Sequence, residues 1–313
     1  MSEETFVGID VSSDHVNVHI LPSDKKGSWD MDAKSIESLV KQLKKASPKL
    51  IAMEATGGYE TQLCAALLAE GLPAILANPR RARQYAEGIG ILAKTDPIDA
   101  YCLARFASEI EFKKRHFPTE EERFLKELLA RRRQLIDLRT QEKNRLSRPC
   151  SSLVKRSIQT IIRTLDEEIK KIDKDLDDTI KRNSEWSEKC KLLQTIPGVG
   201  KVVAITFVAD VPELGELNAK EIASLVGVAP YNRESGKLKG RRMIKGGRRN
   251  PRKALYMAVV IASRYNPRLR PFYEKLRASG KAAKVALVAC MRKMLIIMNA
   301  MIKAKKPFQE IFA

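Results

Sequence analysis

Over residues 1–100, apolar side chains fall into short runs of strand length, separated by stretches with helical spacing. The pattern predicts strands over Thr5–Asp10, about Val16–Ile20 and near Ser28–Met31, then a helix from about Ile36 to Lys45. Two further strands, Leu50–Glu54 and Pro73–Ala77, flank an amphipathic helix over Thr61–Glu70, and a last helix carries Asp96 to Phe106.

The texture changes at Phe117-Pro118-Thr119. Thr119, with Glu122 three residues on, has the capping-box signature that opens a long charged helix. From about Glu120 to Leu146, and again from Ser152 to Arg182, apolar residues recur at helical spacing. Ile162, Leu165, Ile169, Ile172 and Leu176 alternate steps of three and four, the pattern of a coiled-coil seam. The break at Ser147-Arg148-Pro149 lets the two helices fold back as a hairpin or pair with a second chain. Periodicity does not separate those options, and either presents a dimerisation arm.

From Leu192 the chain reads as mainly helical, with a turn at Ile196-Pro197-Gly198-Val199-Gly200, an apolar helix, a basic glycine-rich loop and two more helices ending near Ile302. Three segments follow: an α/β domain over 1–118, a helical coiled-coil arm over 119–190, and a mainly α domain over 191–313 with a helix-hairpin-helix-like element. In the first, three meander strands followed by alternating helix and strand resemble the ribonuclease H order.

Charge sharpens this division. Of 313 residues, 58 are Lys or Arg and 38 Asp or Glu, a net charge of +20. Residues 1–100 carry −3, residues 101–190 carry +5 and residues 191–313 carry +18. A folded segment so unbalanced calls for a polyanion, and nucleic acid is the commonest one. No run approaches the 18 apolar residues of a membrane span, and Met-Ser-Glu-Glu does not open a signal peptide, so the expected place is the cytoplasm, at the nucleoid, with no membrane partner. Five scattered cysteines without a CxxC pair speak against a zinc site or a disulfide framework.

The candidate chemistry begins with carboxylates. Asp10 and Glu54 each end an apolar strand, where a carboxylate at the solvent boundary is also ordinary. Asp96 and Asp99 stand three apart behind Lys94-Thr95, with Pro97 suited to a first helical turn, so they share a face with Cβ atoms roughly 5–6 Å apart. Such a pair alone is a tolerable surface feature, but four acids converging in one cleft would repel strongly unless a divalent cation bound. Hard oxygen ligands of this kind select Mg²⁺ or Mn²⁺ and suit phosphodiester chemistry.

The second locus is basic. Residues 237–253 hold nine cations and no acid: Lys237, Lys239, Arg241, Arg242, Lys245, Arg248, Arg249, Arg252 and Lys253. Cations that each met a phosphate would make binding steeply salt-dependent. Gly198 and Gly200 mark a turn whose N–H groups could position a phosphate, and an ordinary interhelical turn has the same composition. Ser235 lies between Arg233 and Lys237, with no G-x-S-x-G or SxxK pattern around it and no histidine in its segment. Most such serines cap or turn; a phosphoryl-transfer serine could be activated by a metal or carboxylate, with Arg and Lys holding the phosphate.

Taken in order, Gly8-Ile9-Asp10-Val11, Met53-Glu54-Ala55-Thr56-Gly57-Gly58-Tyr59, Asn78-Pro79 and Lys94-Thr95-Asp96-Pro97-Ile98-Asp99-Ala100 resemble the DEDD, RuvC-like domain of one insertion-sequence transposase family. Ile196–Gly200, Gly227-Val228-Ala229-Pro230, Glu234-Ser235-Gly236, Gly246-Gly247-Arg248 and Arg252-Lys253-Ala254-Leu255-Tyr256 match its second half, so the resemblance spans nearly the whole chain. The family is that of the bridge-RNA-guided recombinases, with the Piv-type DNA invertases as relatives. The resemblance implies that Asp10, Glu54, Asp96 and Asp99 hold Mg²⁺ and that Ser235 attacks a DNA phosphate to form a phosphoserine intermediate. It further implies a structured guide RNA that pairs with donor and target DNA, and a tetramer in which the acids of one subunit meet the serine of another. Two other readings stand beside it: a metal-dependent nuclease or junction resolvase with Ser235 structural, and a non-catalytic nucleic-acid-binding protein.

Overall fold

The computed structural model describes residues 4–55, 57–109, 119–232, 234–235, 238–240 and 242–311. The chain divides into two compact units, Met1–Arg115 and His116–Ala313.

The first unit is built on strands β1 (Phe6–Val11), β2 (His15–Leu21) and β3 (Lys25–Asp30), helix α1 (Ala33–Ala46), strand β4 (Leu50–Glu54), helix α2 (Glu60–Ala69), strand β5 (Ala74–Ala77), and helices α3 (Pro79–Gly88) and α4 (Asp96–Glu109). The sheet order is β3-β2-β1-β4-β5, antiparallel across the first three strands and parallel from β1 to β4 to β5. In β1 and β4, Val7, Ile9, Ile51, Ala52 and Met53 are all buried, the near-continuous apolar run of central strands covered on both faces. Helix α4 packs across β1, β2 and β4. The predicted α/β character holds, with β3 beginning and ending a little earlier than its apolar residues suggest. Helix α3 has no apolar stripe in the sequence, because its buried side chains are only Ala82 and Ala86. Its start was nevertheless written in the residues: Asn78 caps the Arg81 N–H and Pro79 takes the first helical position.

The second unit opens with α5 (Glu120–Leu146) and α6 (Ser152–Arg182), which pack against one another within the chain. Thr119 and Glu122 form the reciprocal capping bonds at 3.2 and 2.9 Å. Ion pairs Arg132–Asp173 and Arg139–Asp166 tie the two helices together. Ile169 and Leu176 are buried, whereas Leu138, Leu153, Val154 and Ile161 near the turn are exposed.

Beyond the pair come α7 (Ser184–Gln194), α8 (Lys201–Asp210), α9 (Ala219–Val226), the short strands β6 (Pro230–Tyr231), β7 (Glu234–Ser235), β8 (Leu238–Lys239) and β9 (Met243–Ile244), then α10 (Arg249–Tyr265), α11 (Arg270–Ala278) and α12 (Ala283–Ala304). Packing does not break near residue 190: Leu125, Leu129, Leu176 and Ile180 share one core with Phe207, Leu255 and Met294. One helix does have the length and apolar composition of a membrane span, against the expectation from the sequence: α12, with a mean hydropathy of 1.8 over its best stretch. Arg292 and Lys293 interrupt its apolar run in the sequence. Over half of that stretch is buried inside the unit, where Met294, Leu295, Met298 and Met301 pack toward α10 and α9.

Candidate active site and nucleic-acid interface

Strand parity brings Asp10 and Glu54 to one face of the sheet. Gly8 faces α4 so closely that a Cβ there would lie 2.0 Å from the Ala100 carbonyl oxygen and 2.2 Å from the Ala104 nitrogen. Asp10, two residues on, shares that face. The parallel register sets Gly8 beside Ala52 and Ile9 beside Met53, so Glu54 follows Ala52 onto the same face. The first turn of α4 supplies Asp96 and Asp99.

Asp10 lies within electrostatic reach of the other three carboxylates. Burial, and then the charges of Asp96, Asp99 and Glu54, push the Asp10 carboxyl up to about 6, with Lys94 pulling the other way. Burial likewise raises Glu54 and Asp99, again against Lys94. The loop bearing Lys94 is held by Arg83 of α3, whose guanidinium donates to the carbonyls of Leu92 (2.6 Å) and Ala93 (3.3 Å). Among the described residues, no three acidic, histidine or cysteine side chains are close enough to close on one ion. The donor set is nevertheless all carboxylate oxygen, partly buried at Asp10, Glu54 and Asp99 and exposed at Asp96, which is the chemistry that accepts a hard divalent cation. Motif reading missed His15, whose Nε2 lies 3.2 Å from Asp96 Oδ2.

Ser235 lies in the other unit, exposed at the end of β7, with Ser235 and Glu234 paired to Leu238 and Lys239. The segment springs from a second ribbon, Pro230 and Tyr231 against Ile244 and Met243, whose Tyr231 hydroxyl bonds the Ser224 hydroxyl of α9 at 2.7 Å. Arg233, Lys237 and Arg241, together with the Lys239 side chain, lie outside the described residues. Lys245, Arg249 and Lys253 are exposed. Arg242 lies on the rim of a cavity of about 790 Å³ whose walls include Phe272, Val288 and Ile297, with Lys284, Arg292 and Lys293 also around it.

Two of the cations have protein partners instead. Arg248 makes a bidentate pair with Glu213 at 2.5 and 2.6 Å and donates to the Asp210 carbonyl at 2.9 Å. Arg252 donates to the carbonyls of Gly227 and Gly246. Burial works to raise the Glu213 carboxyl, but the hydrogen bonds and charge of Arg248 outweigh it and hold the group below its usual range. Gly198 also has a packing role: at φ +101° it lies against α10, where a Cβ would come within 2.8 Å of the Ala262 Cβ and 2.9 Å of the Ala258 carbonyl oxygen. Gly200 opens α8 with free space around it.

Comparison with known proteins adds to this geometry. Residues 7–149 match a family model described as a DEDD transposase of the IS110 type, and residues 190–274 match the transposase IS116/IS110/IS902 family. Over 267 residues, 82% of this chain and 81% of the relative, the sequence is 31% identical to the pilin gene-inverting protein of Moraxella bovis. The chain belongs to the IS110/IS116 transposase family. The corresponding protein of Moraxella lacunata is equally similar, and the insertion element IS900 uncharacterized 42 kDa protein of Mycobacterium paratuberculosis is 27% identical over 154 residues, 46% of this chain and 38% of the relative.

This transposase is therefore a DNA-acting recombinase, and its cations can be sorted by a DNA titration. Arg249→Ala and Lys253→Ala are each expected to reduce the slope of log affinity against log salt by about 1, the mark of a lost phosphate contact. Arg248→Ala should leave the slope unchanged and instead cost about 2 kcal/mol of stability, less than a fully buried pair because both partners are partly solvated. Since the Glu213 carboxyl is depressed in the folded state, its stabilisation is full above the unfolded carboxylate range and is lost as pH falls through the folded value. The stability gap between wild type and Arg248→Ala should accordingly close on acidification, as denaturant melts at neutral and acidic pH would show.

Proposed function

We propose that this transposase exchanges DNA strands through a phosphoserine intermediate, guided by a structured RNA from its own element and assisted by Mg²⁺, with Mn²⁺ able to substitute. The reading rests above all on one observation: carboxylates from β1, β4 and α4 converge, and burial together with neighbouring carboxylate charge raises those of Asp10, Glu54 and Asp99, a cost that a bound cation would relieve. Asp10, Glu54, Asp96 and Asp99 would hold that ion, drawing inward to do so. When bound, it would supply positive charge to polarise a phosphate and stabilise developing negative charge.

The remaining steps belong to the chain's own groups. Ser235 Oγ forms a bond to phosphorus as the sugar oxygen departs, and the serine proton passes to that departing hydroxyl. The cations around Ser235, Arg233, Lys237, Lys239 and Arg241, neutralise the phosphate as charge builds. Guide-RNA pairing, which moves sequence choice out of the protein, is what the resemblance of both halves of the chain to the bridge-RNA-guided recombinases implies. The same resemblance supports a tetramer in which α5 and α6 form a coiled-coil assembly arm and the α7–α8 turn a helix-hairpin-helix, working on donor and target DNA in the cytoplasm at the nucleoid.

The test is a denaturing gel of the full chain incubated with its flanking RNA, Mg²⁺ and labelled donor DNA. A protein–DNA adduct that disappears on chelation is expected. Metal-dependent cleavage without an adduct would instead establish a nuclease or resolvase that uses activated water.

A further inference from the structure

We propose that His15 is a positioning residue, holding the Asp96 carboxylate in the orientation needed to bind a divalent ion; this rests on the four acids being the metal site. The geometry starts with the tight β1–β2 connection. The Ser12 N–H donates to the His15 carbonyl (2.9 Å), the His15 N–H donates to Ser12 Oγ (3.1 Å), and the Ser12 hydroxyl donates back to the His15 carbonyl (2.7 Å). These three bonds fix the backbone of residue 15 at the strand end that also bears Asp10.

The ring is held from both sides. Nδ1 lies 3.1 Å from Ser12 Oγ and Nε2 lies 3.2 Å from Asp96 Oδ2. Opposite a carboxylate oxygen, Nε2 must act as the donor, and Ser12 Oγ, whose single proton is shared between the His15 carbonyl and Nδ1, lies against the other ring nitrogen and limits the ring's orientation. The bond engages one oxygen of Asp96 and leaves the other for an ion.

Asp96 is the acid that most needs such a partner. Asp10 and Glu54 project from central strands and Asp99 is half-buried, whereas the Asp96 side chain is 52% exposed at the outermost position of α4. A carboxylate with that freedom loses side-chain entropy when it binds a metal, and a fixed donor removes part of the loss in advance. Hydrogen-bond partners that orient ligating groups typically change metal affinity about 10–100-fold when removed. The histidine itself is 41% exposed, so shortening it opens no cavity.

The experiment is a Mn²⁺ titration of the full chain, following loss of the free-ion electron paramagnetic resonance signal, for wild type, His15→Ala and His15→Gln. All three should melt at the same temperature. His15→Ala is expected to bind Mn²⁺ about tenfold or more weakly, and His15→Gln, whose amide N–H can reach the same oxygen, to recover most of the loss. Equal affinities in wild type and His15→Ala would overturn the role of His15 alone. So would a loss that Gln does not restore. A wild type that binds no Mn²⁺ would overturn the metal site, and this inference with it.

Discussion

Ser235→Ala is expected to leave a folded protein that forms no adduct with DNA and exchanges no strands. The position is exposed on a two-residue strand, so truncating it should change stability by no more than about 0.5 kcal/mol. Removing a nucleophile that no other group can replace lowers turnover by a factor on the order of 10⁶ in serine enzymes, which would put residual strand exchange below detection. Salt-dependent DNA binding should persist, because the exposed cations Lys245, Arg249 and Lys253 remain. Glu54→Gln, which alters the acidic cluster, should lose cleavage and adduct in the same way, since both groups serve one step. If Ser235→Ala still cuts DNA at the wild-type rate, the serine is structural and the chemistry belongs to the acids and water.

Gly8→Ala should lower both stability and activity, by purely mechanical means. The atoms a methyl group would strike are backbone, the Ala100 carbonyl oxygen and the Ala104 nitrogen, and cannot rotate away. Relief requires α4 to lift from β1, carrying Asp96 and Asp99 away from Asp10 and Glu54. Overpacking of a close contact costs about 1–3 kcal/mol and occasionally more, and the upper end is expected here. A shift of about 1 Å in catalytic groups can lower activity about 100-fold even where the fold survives. The two tryptophans are divided one to a unit, Trp29 in β3 and Trp186 in α7, so denaturant unfolding followed at Trp29 in a Trp186→Phe background would isolate the affected unit. Unchanged unfolding and Mn²⁺ binding in Gly8→Ala would show that this close approach is dispensable.

How much of this was legible beforehand follows from the range of each cause. Strand and helix periodicities are local, so the β1-to-β5 order, the capping box at Thr119 and both long helices could be read within a few residues. The convergence of the four acids could be anticipated because each stands near an element end, Asp10 one residue before the end of β1, Glu54 at the end of β4, and Asp96 with Asp99 in the first turn of a helix. His15 was not, since nothing in its own neighbourhood signals a partner 81 positions away. The protein partners within the basic run were hidden in a related way. Counting charge makes Arg248 and Arg252 look like phosphate ligands, yet Glu213 lies 35 residues upstream of Arg248, and the carbonyls that hold Arg252 become acceptors only once the loop has folded. Partners fixed by tertiary structure are invisible to composition.

The ribbon of Pro230–Tyr231 against Met243–Ile244 gives the basic loop the properties of an exchangeable cassette. Its two ends leave the helical scaffold side by side, so the scaffold senses only their separation, which the ribbon sets. Closing a longer segment between fixed ends is inexpensive, about 0.6 kcal/mol for each doubling of length. Loops of other lengths and charges could therefore be transplanted between relatives at this junction without refolding the helices beneath, and the reach of the serine could be varied independently of the body that carries it.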